Sequence, residues 1–156
     1  MEMAGYARCG HAPSLHGLQV AAGTSVILGF YQSFLNENTE YDFMSGDIAG
    51  IYGKHIDDWK LCGVDLSGII SEKIDLIKSC RRDFAVVQTD EHLNYLNKML
   101  ADSSRIVKIF DKFKLPRNAS DLGLSESEFD FAAAHAVDVR KRFGIMDLFY
   151  ASGKIR

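Results

Sequence analysis

The chain has 156 residues, 47% of them hydrophobic and 25% charged, which suits one globular domain with a core and excludes a disordered tail or linker. A net charge of −3, with no run of like charge beyond Arg140-Lys141-Arg142, offers no electrostatic footprint for nucleic acid. Cys9, Cys62 and Cys80 are too widely spaced for a disulfide framework or a CxxC motif, which points to a reducing, cytoplasmic setting.

Met1 to Gly10 carries neither the basic head nor the apolar stretch of a secretory signal. Leu15 to Leu35 is apolar nearly all round and predicts a central helix enclosed by others. His16, Gln19, Thr24, Ser25, Gln32 and Ser33 punctuate it, so the expectation is a buried helix of a soluble protein and not a membrane span. A second helix is expected over Ile48 to Trp59, weakened by Gly50 and Gly53 at about 1 kcal/mol each relative to alanine. Asp65 can cap a third, in which Leu66, Ile70, Ile74 and Ile77 recur at helical spacing while Glu72, Asp75 and Lys78 face water.

Phe84 to Val87 alone has strand character, and it has no sheet to join. Thr89 or Asp90 can cap a helix carrying Leu93, Leu96 and Leu100. Ile106, Ile109, Phe110 and Phe113 define the next, which Leu115-Pro116 stops. Asn118-Ala119-Ser120 fits the glycosylation pattern and, with no signal peptide, reads as a coincidence. Ser125 and Glu128 form a capping box, and Leu124 faces Phe129 as a hydrophobic staple. The helix they start is expected to carry Phe129, Ala132, Ala133, Ala136 and Val137 on its apolar stripe. Arg140 to Arg142 suit its negative end, and Gly144 can stop it. A last short helix is predicted over Ile145 to Ala151, ending at Gly153. With no repeat, low-complexity run or linker, the expectation is a single all-α domain over residues 1–156.

Phosphate signatures fail in this chain. Gly46, Gly50 and Gly53 do not make GxGxxG, and Gly53-Lys54 lacks both the earlier glycine and the following Ser or Thr of a P-loop. Among His11, His16, His55, His92 and His135 no pair has the i, i+4 spacing of a helical metal site. His92 follows Glu91, and His55 precedes Asp57 and Asp58, so both read as solvated. His135, among alanines, reads as a packed or partly exposed helix residue. His16 opens the most apolar helix and is followed by Gly17, which lets a backbone or ligand approach; a helix-start histidine bonded to a loop carbonyl explains it as well.

The run Leu15-His16-Gly17-Leu18-Gln19-Val20-Ala21-Ala22-Gly23-Thr24 resembles the metal-binding helix start of the iron-type alcohol dehydrogenase and dehydroquinate synthase superfamily. Its form is most similar to the sn-glycerol-1-phosphate dehydrogenases. Ala133 to Gly153, with Val139-Arg140-Lys141-Arg142-Phe143 and Met146-Asp147-Leu148, resembles the closing helices of that family. Pro116 and Asp121-Leu122-Gly123-Leu124 sit between the two matches in family order.

The resemblance implies a helical bundle like the C-terminal domain of these enzymes, paired in the complete enzyme with an N-terminal Rossmann-like half that binds NAD or NADP. It implies a divalent metal, zinc, nickel or iron, polarising the carbonyl of dihydroxyacetone phosphate for reduction to glycerol 1-phosphate. Of the family's aspartate and two histidine ligands only one maps here, to His16; no catalytic residue is expected on this chain alone, and the motifs assign no cofactor-binding residue. The expectation is therefore a truncated or split gene product, inactive alone, that associates with itself or with a Rossmann-like half in trans. Leu18 and Gly144 depart from the patterns of dehydroquinate synthase and the dehydrogenases respectively. A glycerol or alcohol dehydrogenase or a dehydroquinate synthase relative, a free-standing helical interaction module and a helical small-molecule binder that has lost catalysis are the alternatives.

Overall fold

Hydrophobic periodicity and capping residues place most of the helices. In the computed structural model, which describes residues 16–36 and 40–155 apart from the side chain of His16, the helices are α1 (His16–Asn36), α2 (Ile48–Leu61), α3 (Ser67–Cys80), α4 (Asp90–Leu100), α5 (Ser103–Phe113), α6 (Glu126–Ala134) and α7 (Ile145–Ala151). No strand occurs among the described residues. Phe84 to Val87 lies within a 3₁₀ helix, Arg81–Gln88.

The caps explain the boundaries. Asp47 Oδ1 accepts from Gly50 N at 3.0 Å to open α2. Asp65 Oδ1 accepts from Ser67 N at 2.9 Å, while the carbonyl of Leu66 takes the first helical bond of α3, so Asp65 acts one residue before the cap itself. α5 ends on Lys114, whose φ of 50° is left-handed, and Leu115 N donates to Phe110 O at 2.9 Å. Asn118 Oδ1 accepts from Ser120 Oγ at 2.8 Å and Asp121 N at 3.0 Å, so the apparent glycosylation tripeptide organises a short 3₁₀ turn, Ser120–Leu122. The capping box closes at both ends. Ser125 N donates to Glu128 Oε2 at 2.8 Å, and Glu128 N donates to Ser125 Oγ at 3.3 Å.

One expected helix is cut short. α6 stops at Ala134 and passes into a 3₁₀ turn, His135–Val137, so Arg140 to Arg142 do not lie at its end. Gly144 does not stop that helix. It precedes α7 in an extended conformation, and its N–H donates to Asp147 Oδ2 at 2.7 Å. The reason is tertiary: His135 and Asp138 are drawn into buried polar contacts that a continuous helix would break.

The chain divides into two compact units, with boundaries between Leu93 and Asn94, inside α4, and between Ala134 and His135. The first contains α1, α5 and α6. Ala22, Ala119, Leu122 and Phe129 are its buried cluster, with Leu18, Val26 and Leu124 packed against it. α1 is less enclosed than its composition predicts, since Val20 is half-exposed and most of the helix half-buried. By length and composition alone α1 could cross a membrane.

The second unit contains α2, α3, the Arg81–Gln88 segment and α7. α7 is buried along its whole length. Arg81 binds it to the loop before α2: Nη2 donates to Gly46 O at 2.6 Å and Ala151 O at 2.7 Å, and Nε donates to Phe43 O.

Candidate functional site

The second unit encloses a polar network built from one face of each of its helices. α2 turns Ile48, Tyr52, His55 and Trp59 inward, a spacing of four, three and four that keeps them on one face. α3 turns Ile70, Lys73 and Ile77 inward, and α7 supplies Asp147 and Tyr150. His135 and Asp138 come from the 3₁₀ turn after α6 and the residue that follows it.

Asp147 Oδ1 accepts from Lys73 Nζ at 2.9 Å and from the hydroxyl of Tyr52, while its other oxygen takes the Gly144 N–H. Lys73 Nζ also donates to Val137 O at 2.7 Å. Asp138 shares a 2.9 Å hydrogen bond between Oδ1 and His55 Nδ1 and accepts from Trp59 Nε1 at 2.9 Å through Oδ2. His135 Nε2 lies 3.2 Å from Oδ2 of half-exposed Asp58, and its ring lies against that of His55, tilted by 34° with centroids 4.3 Å apart. No buried side-chain nitrogen or oxygen among the described residues lacks a hydrogen-bond partner. Such completeness is needed for polar groups to sit in a core without a large penalty.

The two carboxylates act on their surroundings. Burial, and after it the negative charge of Asp147, push the Tyr52 phenol far above its ordinary range. Burial, then Asp138 and Asp147, do the same to Tyr150. Both phenols therefore remain neutral over the physiological range.

His55, expected in water, is buried and bonded to Asp138, because its helix phase and not its acidic sequence neighbours decides where it points. His135 is packed, as expected, and the two imidazoles meet Asp138 with one ligand atom from each residue all within 4.8 Å. No helical i, i+4 pair is involved; the cluster joins residues 80 positions apart, which local spacing does not reveal. His92 is exposed, with Nδ1 3.0 Å from Thr89 Oγ1. Lys73 is a further residue that spacing alone does not single out.

Gly46 and Gly50 line a cavity of about 830 Å³ together with Ser45, Asp47, Lys54 and Gly153, and Gly53 does not. Their spacing answers to packing. A Cβ on Gly46 would stand 1.9 Å from Tyr150 O, and one on Gly50 would stand 2.2 Å from the capping Asp47 Oδ2.

His16 is the first residue of α1, and its side chain lies outside the described residues, as does all of His11. The donor set that the dehydrogenase resemblance assigns to this chain is a single imidazole, which does not fit a metal of defined geometry without further ligands. The chain matches no family model, no curated protein and no solved structure.

Proposed function

We propose that this chain is the helical, metal- and substrate-site portion of a glycerol-1-phosphate dehydrogenase-like enzyme, inactive alone and completed by a Rossmann-like NAD(P)-binding half in the cytoplasm. The observation that carries the reading is the Leu-His-Gly-x-Gln-Val-x-x-Gly-Thr run, whose residues from His16 onward lie on α1. A Cβ at Gly17 would meet nothing within 4 Å among the described residues, so the chain is open next to His16. Within this reading His16 supplies one metal ligand, and the upstream aspartate and histidine come from the other half. The metal, once held by all of its ligands, would supply Lewis-acid polarisation of a ketone.

The test is reconstitution. The chain alone should show no NAD(P)H-dependent reduction of dihydroxyacetone phosphate. Adding a Rossmann-like half that carries the missing aspartate and histidine should restore turnover and tight zinc, nickel or iron binding, both lost in His16→Ala with the helical spectrum unchanged. Full metal content and activity in the His16→Ala complex would overturn the reading.

A helical interaction module is the second reading, favoured by apolar side chains left in water. Tyr95 and Met99 on α4 and Phe113 on α5 are each at least 60% exposed, more than isolated surface residues need. Self-association into a homo-oligomer, measured by light scattering, is expected under either reading. The reconstitution separates the two.

A further inference from the structure

We propose that His55, His135 and Asp138 form a zinc site in the second unit, with Asp58 as the fourth ligand, separate from the metal of the preceding reading. The three residues each present a ligand atom, and these lie within 4.8 Å of one another inside the core. In a tetrahedral site with bonds of about 2.0–2.2 Å, ligand atoms stand about 3.4 Å apart, so rotamer-scale closure suffices. Asp58 Oδ2 already lies 3.2 Å from His135 Nε2, placing a carboxylate on the side of the cluster that opens towards solvent. Two imidazoles and two carboxylates are the donor set of a borderline, four-coordinate cation, and they suit zinc better than magnesium or calcium.

Charge gives an independent argument. The core of this unit holds two fully buried carboxylates, Asp138 and Asp147, and one fully buried ammonium, Lys73. Lys73 lies against Asp147, which also receives Tyr52 and the Gly144 N–H, whereas Asp138 meets the ring nitrogens of His55 and Trp59. A divalent cation held by Asp138 and Asp58 makes that half of the network neutral.

The surroundings of the site are already positioned. Trp59 Nε1 holds Asp138 Oδ2, leaving Oδ1 towards the imidazoles, and Lys73 Nζ holds Val137 O next to Asp138 in the chain. On binding, zinc takes the place of hydrogen at the coordinating nitrogens of His55 and His135, and each neutral imidazole keeps its one ring proton on its other nitrogen.

The experiment uses the whole chain and a His16→Ala version of it, each stripped with chelator and then given Zn²⁺ or Co²⁺ alone. The His16→Ala chain should retain one zinc after gel filtration, show the intense visible bands of tetrahedral Co²⁺, and melt at a higher temperature with zinc than without. Adding His135→Gln, which keeps the size and a hydrogen-bonding group towards Asp58, should abolish all three effects while the circular dichroism stays helical. Trp59→Phe should weaken zinc by roughly 10- to 100-fold through loss of its hold on Asp138. Absence of zinc binding in the folded His16→Ala chain would overturn the site. So would zinc that survives His135→Gln, or octahedral Co²⁺ spectra. Loss of dehydrogenase reconstitution with these results intact would overturn only the preceding reading.

Discussion

Lys73 Nζ lies 2.9 Å from Asp147 Oδ1, and neither side chain is more than 1% exposed. Removing one member of a buried pair leaves the other charge in a medium that cannot solvate it. Lys73→Met should lower the unfolding free energy by about 3–5 kcal/mol, read from urea denaturation. Lys73→Met with Asp147→Asn should recover much of that loss, because the pair then buries no net charge and the carboxamide oxygen still accepts the Gly144 N–H. A double variant as unstable as the single one would mean that packing, not charge, makes Lys73 necessary.

The neutral phenols of Tyr52 and Tyr150 tie stability to alkaline pH. Their folded pKa values are raised above the unfolded value of about 10, so the unfolded chain gives up these protons first. The contribution of these two phenols to stability is therefore level below about pH 10 and falls as pH rises beyond it. Ultraviolet titration should leave two tyrosines unionised until the protein unfolds. Tyr52→Phe should make the alkaline loss of stability shallower.

Two glycines respond oppositely to alanine. Gly46→Ala brings a Cβ within 1.9 Å of Tyr150 O and 2.7 Å of Ala151 O, backbone atoms of which Arg81 also holds the second, and it should sharply lower the thermal midpoint. Gly53, inside α2 with nothing within 4 Å of a built Cβ, should gain about 1 kcal/mol on substitution by alanine. Gly50→Ala gains less, because its methyl group displaces the Asp47 cap.

Ser125→Ala removes the acceptor for Glu128 N at the start of α6 and should cost about 1 kcal/mol. Ser125→Thr keeps the oxygen and should cost little. Equal losses in both variants, measured by chemical denaturation, would show that the hydroxyl does not act as a cap.

Local chemistry makes several elements legible. Gly144 and Gly153 bracket α7, whose residues are those predicted, and the latter turns the chain with φ of 68°. The Ser125 box starts α6 where it should. The site is hidden for two reasons. The inward stripe of α3 runs through Leu66, Ile70, Lys73 and Ile77, yet the same period is met by putting Ile74 where Lys73 stands, and only Asp147, 74 residues on, makes the lysine fit the core. The sequence neighbours of His55, Asp57 and Asp58, point it to water; measured from Tyr52 and Trp59, three residues before and four after, it lies on the buried face. The early end of α6 is equally unreadable, since the contacts that stop it belong to α2.

The second unit is interrupted by an excursion from Asn94 to Ala134, and the order of synthesis gives that interruption a kinetic meaning. Its decisive bonds join residues 79, 83 and 95 positions apart: Trp59 to Asp138, His55 to Asp138, and Tyr52 to Asp147. Loop closure over such separations comes late, after the helices themselves have formed. A nascent chain that has reached Ala134 already carries the Lys73 ammonium and the hydrogen-bond donors of Tyr52 and Trp59, and their carboxylates have not yet been made. Stalled chains of that length are expected to be cut by protease within α2 and α3, and chains that extend through Ser152 to resist. During translation, α2 and α3 are thus the segment most in need of a chaperone, although they are made before α4, α5 and α6.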